Sequence, residues 1–481
     1  MRPSTTRNRK TTGALRQFVA ATSASLTVMT TGCWLGWPSP SIRKLEFNET
    51  SIRVNQDQIS WIVAAMDAGN VVSSIPAGYL MDLVGRRVVI LFSGALFFFT
   101  WMLVGLATTP AMLYIARFLA GFGKGITFTV VPMYLGEIAS VPIRGALSTV
   151  FAGLLWSGTM FEFAIGPYVS FEVLAVLSAI IPVLFFSSFL FMPDSPYYLL
   201  MRGKEDEARH SLRWLRKQPQ VKSPENIVPC LVEKELKEIK TAVEEDLQHK
   251  AKFYDLLSTP ASRRATFIVL VISAFQRLCG ISPLLAYSST TLPTHDGLIG
   301  PAEVIIVFGC ILTVSNFIAT PLVDRLGRRP LLLFSGAGCG VLTGISGVYY
   351  YLDRETEVDM SSYIWVPYVC LLGFGVTHSM GIGVIPHTLL AELFPTNVKS
   401  FAAAIASIMF ALASFLVNKL YTTVDDTIGL YANFAFFSVN GFLCTLFTYL
   451  FIFETKGKSF VEIQRFLRRS PSIYELKPMS K

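Results

Sequence analysis

Twelve stretches of predominantly apolar residues run along this chain, at roughly 15–37, 58–80, 88–108, 111–135, 147–170, 172–193, 265–287, 301–323, 330–352, 363–391, 399–421 and 429–453. Each is close to the ~20 residues that cross a hydrocarbon core at about 1.5 Å of helix rise per residue. Backbone amides and carbonyls in lipid find no water, so each stretch is expected to be a helix. Over 481 residues, 52% hydrophobic side chains and a mean hydropathy of +0.50 exceed what a soluble domain carries.

The polar segments set the organisation: a tail over 1–14, six spans over 15–193, an insert over 194–264, six more spans over 265–453, and a tail over 454–481. In the insert, EDEARHSLRWLRK and VEKELKEIKTAVEEDL mix both charge signs with Leu, Ile and Val at helical spacing, which predicts short amphipathic helices beneath the membrane part. The alternative is a solvated linker, but the segment lacks a Gly/Ser-rich composition. With both ends cytoplasmic, the inner side receives Arg2, Arg7, Arg9, Lys10, Arg86, Arg87, Arg144, the insert, Arg328, Arg329, Lys399 and the basic tail. The outer side keeps Arg43, Lys44 and Arg53 in a first loop and Arg354 in another. This asymmetry follows the positive-inside rule and accounts for the net charge of +8 without a nucleic-acid partner. The sequon Asn48-Glu49-Thr50 falls on the outer side, where a glycan is attached. The basic N-terminus is read as retained rather than as a cleaved signal, because the apolar run behind it is too long. Seven cysteines, at 33, 230, 279, 310, 339, 370 and 444, lack paired or metal-ligand spacing, so neither a disulfide framework nor a metal site is expected.

The two sets of six spans repeat each other. DLVGRRVVI at 82–90 matches DRLGRRPLL at 324–332, GEIASVPIRGA at 136–146 matches AELFPTNVKSF at 391–401, and PDSPYYL at 193–199 matches FETKGKSF at 453–460. Glu137 then corresponds to Glu392, Arg144 to Lys399 and Asp194 to Glu454. The expected fold is an all-α membrane protein, twelve transmembrane helices in two six-helix pseudo-symmetric halves with a cytoplasmic helical insert.

These strings, with RF at 117–118, PMYLGEIASVPIRGAL at 132–147, QRLCGIS at 276–282, IPHTLLAELFP at 385–395 and ETKG at 454–457, resemble the sugar porter family of the major facilitator superfamily, and within it the insect facilitated trehalose transporters. The resemblance covers nearly the whole chain. It implies a plasma-membrane carrier whose halves rock about a central site and pass a sugar down its gradient. Bidentate arginine–carboxylate pairs near water are directional and cheap to break. Asp82, Arg86, Arg87, Glu137, Arg144 and Asp194, with Asp324, Arg328, Arg329, Glu392, Lys399 and Glu454, are therefore expected to form a cytoplasmic latch. Plain topology-fixing charges are the alternative, which leaves the repeated acids unexplained.

The central site departs from the family pattern. Gln276 is kept, but Arg277 and Ser282 stand where the family carries Gln and Asn; Phe163 replaces a glutamine beside Glu162; His387 stands for a Trp after Pro386; and Trp34 aligns with the Asp of proton-coupled members. Those seven residues are the candidate substrate contacts. Asp67, Lys124, Glu162 and Arg277 fall near the bilayer midplane, where an unpaired charge costs several kcal/mol. Asp67 and Lys124 are expected to pair; Glu162 and Arg277 are expected to meet across the substrate path. Arg117 lies on the path or snorkels to the interface, and His378 is read with His387 as packing before titration. GFGKG at 121–125 lacks phosphate-loop spacing and is read as close helix packing.

The expected function is facilitative transport of trehalose, glucose or a related polyol by alternating access. Alternatives are a proton-coupled or organic-ion carrier of the same fold and a non-transporting sugar sensor. The expected partners are a small-molecule sugar and the lipid bilayer, with no nucleic acid, no cofactor and a monomeric chain; no hydrolase or kinase constellation appears, so no enzyme activity is expected.

Overall fold

The computed structural model describes residues 13–217, 231–248, 253–293, 300–458 and 460–468. Most of the N-terminal tail, Cys230 and the chain beyond 468 lie outside them. Every regular element among the described residues is helical. In chain order these are α1 Ala14–Gly36, α2 Pro38–Glu46, α3 Gln56–Val84, α4 Arg86–Gly105, α5 Pro110–Ile138, α6 Arg144–Ile165, α7 Phe171–Phe189, α8 Pro196–Met201, α9 Glu205–Leu215 and α10 Leu231–Gln248. There follow α11 Asp255–Ser258, α12 Pro260–Leu278, α13 Ile281–Thr291, α14 Pro301–Leu326, α15 Arg328–Glu355, α16 Trp365–Met380, α17 Ile385–Leu393, α18 Thr396–Thr427, α19 Leu430–Phe451 and α20 Phe460–Arg468.

Among the described residues, eleven helical segments are long and apolar enough to cross a membrane. The remaining expected span lies in α3, which is helical over 29 residues but carries Asp67, Asn70, Ser73 and Ser74 and so falls short of that apolarity. Three spans are less regular than expected. The first does not stop at 37: Trp37 keeps helical dihedrals, its N–H donates to the Cys33 carbonyl, and Pro38 opens α2. Arg43 and Lys44 therefore sit on a helix rather than in a loop, and Lys44 is buried, donating to the carbonyls of Gly166 and Val169. The seventh span breaks at Gly280, whose φ of +102° and the Phe437 ring, 2.6 Å from where a Cβ would stand, leave room only for glycine. The tenth span breaks between α16 and α17. The Ile382 N–H there turns to the Ser335 hydroxyl, and Gln276 Nε2 reaches the carbonyls of Ile382 and Gly383 at 2.9 and 2.8 Å. Irregular backbone at membrane depth survives where protein groups satisfy it.

Contacts divide the chain into two compact units that cut across the boundaries expected at 193/194 and 264/265. The described residues within 1–250, 282–313 and 411–428 make the first, and those within 251–281, 314–410 and 429–481 the second. The later segments join the first unit through specific contacts: Tyr287 stacks on Tyr421 with centroids 4.8 Å apart, and Ser288 and Ser289 hydrogen-bond Ser39.

Within the first unit, helix backbones touch. A Cβ on Gly32 of α1 would stand 1.9 Å from the Leu155 carbonyl oxygen of α6, and one on Gly121 of α5 would stand 1.8 Å from that of Met66 on α3. Lipid tails are as apolar as leucine, so association rests on such close packing. Gly121 and Gly125 thus serve α3–α5 contact, and Gly123 faces Phe97 of α4. In the second unit, α15 meets α19 in the same way, a Gly441 Cβ falling 2.6 Å from the Gly340 nitrogen.

The insert forms helices as its periodicity predicts. Leu199, Leu212, Val232 and Leu236 make a small core across α8, α9 and α10. Arg209 pairs with Glu205, Asp206 and Glu233, and Arg216 joins Glu235 while donating to the Ile138 carbonyl at the end of α5. Tertiary packing and these bridges order a segment too polar to form a core by itself.

Gly121→Val forces α3 and α5 apart and is expected to lower the midpoint of thermal unfolding in detergent markedly, overpacking alone costing about 1–3 kcal/mol. Gly78→Ala, where an added Cβ meets nothing within 4 Å, is expected to leave the midpoint unchanged or raise it.

Candidate functional site

At one end of each unit the Gly-Arg-Arg string closes a charge cluster, and the two clusters are built alike. In the first unit Gly85 (φ +103°) turns α3 into α4, and Arg86 at the start of α4 is buried. Its guanidinium reaches Asp82 at 2.9 Å, Glu137 at 3.0 Å and the Met81 carbonyl at 3.1 Å, beneath the Tyr198 ring. The Arg87 N–H donates to Asp194 at 3.2 Å and its guanidinium to the Leu190 carbonyl. Burial raises Asp194 above the ordinary carboxylate range, and the amides of Ser195 and Arg87 pull the other way.

In the second unit Gly327 (φ +97°) plays the part of Gly85. Arg328 reaches Asp324 at 2.9 Å, Glu392 at 2.8 Å and the Val323 carbonyl at 3.2 Å. Glu454 accepts from the amides of Arg328 and Arg329 at 3.0 and 3.1 Å, and the Arg329 guanidinium donates to the Tyr449 carbonyl. Each glycine is required twice over, for its positive φ and because an added Cβ would fall 2.6 Å from Asp194 or 2.5 Å from Glu454. Ten of the twelve residues expected in one latch therefore form two clasps, each closed within its own unit. Arg144 is exposed at the start of α6 and Lys399 half-buried on α18, both outside the clasps.

Deeper in the first unit, Lys124 Nζ meets Asp67 Oδ1 at 3.2 Å, so the two midplane charges come together as a buried pair. The other carboxylate oxygen accepts from Ser414 Oγ at 2.7 Å and Asn418 Nδ2 at 3.0 Å, and Ser414 is 2.9 Å from Ser282 Oγ. Ser282 thus lies in this network. Ser414 and Asn418 were missed, although their i, i+4 spacing puts two polar residues on one face of an apolar helix.

Arg117 does not snorkel. It is buried, donating to the carbonyls of Trp34, Ile62 and Val63 at 2.6, 3.0 and 3.2 Å, under the rings of Trp34 and Trp37. Trp34 stacks on Trp101 with centroids 4.1 Å apart and is fully buried. Glu162 accepts from Ser178 Oγ of α7 at 2.6 Å. Gly36 of α1 lets it lie there, and its second oxygen is buried without a hydrogen-bond partner. Phe163 is buried beside Gly309 of α14.

In the second unit, Arg277 and His387 both lie against Phe410, at 5.7 and 5.2 Å. Gln276 has committed its amide nitrogen to the broken tenth span and keeps a buried, unpartnered Oε1. His378 stacks on Phe374. The expected substrate residues are thus mostly held in packing or in hydrogen bonds of their own units. Among the described residues no group of His, Cys, Asp and Glu suits a metal ion, and Cys33, Cys279, Cys310, Cys339, Cys370 and Cys444 are free thiols.

Repeated six-span halves, matching clasps at matching turns and broken seventh and tenth spans define a membrane carrier of the major facilitator type. The chain belongs to the sugar (and other) transporter family, whose model matches residues 17–467. It is 30% identical over 448 residues to the facilitated trehalose transporter Tret1 of Bombyx mori, covering 93% of this chain and 86% of that protein. It is also 30% identical over 471 residues to Tret1 of Anopheles gambiae, covering 96% of this chain but 58% of that longer protein. Among solved structures, the xylose transporter XylE from E. coli in an inward open conformation superposes with a TM-score of 0.75 at 20% identity, covering 94% of this chain and 99% of that one. That likeness shows the fold.

The clasps rank their own members. Glu137 and Glu392 are 10% and 23% exposed, whereas Asp82 and Asp324 are 54% and 72% exposed. Arg86→Ala or Glu137→Ala strands a buried charge and is expected to cost about 3–5 kcal/mol, while Asp82→Ala and Arg144→Ala are expected to stay within about 1 kcal/mol. Thermal unfolding of the four variants in detergent gives the order.

Proposed function

We propose that the protein is a facilitative carrier of a neutral sugar or related polyol, of which trehalose and glucose are the first to test, working by alternating access as a monomer in the plasma membrane. The observation that carries this reading is the match to a sugar transporter family over 17–467 together with the twofold clasp. Two halves with equivalent rigid turns are the construction that lets a pair of bundles rock without unfolding. The candidate cargo contacts are Gln276 Oε1, an unused buried acceptor, with Arg277 and His387 in the second unit, and Ser282, Trp34, Phe163 and Glu162 in the first. The basic residues of the clasps and insert support a cytoplasmic location for both termini. Asn48, exposed in the turn after α2, is then an outward glycan site.

A proton-coupled carrier is the second reading, and one observation favours it. Glu162 is fully buried within a membrane-spanning helix and accepts from the Ser178 hydroxyl, which puts a carboxyl group inside the membrane part where proton coupling needs one.

Purified protein in liposomes is expected to take up radiolabelled trehalose or glucose down its gradient, with saturation and without dependence on a pH gradient. Uptake that requires a pH gradient and is lost in Glu162→Gln replaces the facilitative reading, and saturable binding without flux replaces both. In glycosylating cells Asn48→Gln is expected to remove an endoglycosidase-sensitive mobility shift; a wild-type chain with no such shift argues against the outer placement of that turn.

A further inference from the structure

The carboxylate of Asp67 faces two ways. Oδ1 is held by Lys124, and α3 and α5, which carry the pair, are locked backbone to backbone around it: Gly69 stands against the Phe118 carbonyl and Gly121 against that of Met66. Oδ2 belongs to another helix, because Ser414 and Asn418 of α18 donate to it at 2.7 and 3.0 Å. Further along the same two helices, Lys419 reaches Asp57 and Ser60 and lies over the Trp61 ring at 4.9 Å, and Tyr287 of α13 donates to the Asn418 carbonyl at 3.2 Å. Asp57, Ser60, Trp61 and Asp67 recur at helical spacing on one face of α3. That face is sewn to α18 over several turns.

α18 is also the helix at which the compact units change, its residues to Phe410 falling in the second and those from Ala411 in the first. The two donors to Asp67 lie just past that change. They are a neutral hydroxyl and a neutral amide, so their departure leaves Asp67 with its Lys124 partner and strands no unpaired charge in lipid. The buried pair stays on the locked helices, and only hydrogen bonds are made and broken.

We propose that Asp67 is a positioning residue for transport: with Lys124 as its fixed anchor it clasps the 411–428 segment of α18 through Ser414 and Asn418, and release of this clasp opens the Asn48 end of the protein. The inference rests on the alternating-access reading, and its test does not need a known cargo. A cysteine placed at Ser288, which is buried against Ser39, reports the opening through its rate of labelling by a membrane-impermeant maleimide added on the Asn48 side.

Full-length Ser288→Cys protein is compared with the same chain carrying Ser414→Ala and Asn418→Ala, or Asn418→Asp. The double alanine variant removes both donors and leaves the ion pair untouched. It is expected to label about tenfold faster, the shift that loss of two ordinary hydrogen bonds produces. Asn418→Asp turns an attractive contact into a carboxylate facing a carboxylate and is expected to label faster still. Ser414→Thr keeps the hydroxyl and is expected to label at the parent rate. Parent-rate labelling of either the double alanine or the Asn418→Asp variant, with an unchanged elution profile, overturns the clasp. Absence of sugar flux in liposomes with variant-dependent labelling intact overturns the assigned cargo and leaves the clasp standing.

Discussion

A carbonyl or amide in hydrocarbon has no water to turn to, and the other features of this protein are arranged around that constraint. Helices satisfy it internally. Where the tenth span breaks, the exposed carbonyls of Ile382 and Gly383 are met by Gln276, an amide that the sequence pattern reserves for cargo. The broken backbone and the side chain that repairs it belong to one device, which leaves only the Gln276 oxygen without a partner. Arg117 spends its donors in the same way, on the carbonyls of Trp34, Ile62 and Val63, and fastens α1, α3 and α5 at one point.

Close packing through glycine follows from the same medium. With no hydrophobic gain to be had between helices in lipid, α1–α6, α3–α5 and α15–α19 come together by backbone contact. The rigidity of α3–α5 then permits something else, since Asp67 and Lys124 hold a buried pair only because the helices that carry them cannot slide. The repeated Gly-Arg-Arg turns use a different rigidity, a positive-φ glycine pressed on a carboxylate that takes the Arg87 and Ser195 amides in the first unit and the successive Arg328 and Arg329 amides in the second.

The class of fold was legible in the spacing of apolar runs, and the pairing of halves in the order of short strings, because both are set by local sequence. The Asp67–Lys124 pair was legible too, since two opposite charges at similar depth have few other ways to avoid a large penalty. The breaks were harder to see. Gly280 and Gly381 look like ordinary glycines in apolar helices until Phe437 and Leu331 are found where a side chain would go. Glu162 shows what depth along a helix leaves out, since depth does not give the face and its carboxylate accepts from Ser178 of α7. The single latch expected of the cytoplasmic charges resolved into two clasps because sequence pairs residues by type and cannot say whether Arg86 closes on its own unit's acids.

The placement of charge separates what is fixed from what is free to change. Arg86 and Arg328 each bind two carboxylates and a carbonyl within one unit, so parting either cluster would leave a guanidinium or a carboxylate bare. Such clusters suit joints that must survive every conformation. Ser414 and Asn418 attach by neutral groups, and a contact of that kind parts while Asp67 keeps its Lys124 partner. A carrier in a low-dielectric medium therefore gains by confining its ions to the moving bodies and making the surfaces that separate from hydroxyls, amides and rings. Lys419 and Asp57 are an ion pair between α18 and α3. There the carboxylate is largely exposed, so water is at hand when the pair opens.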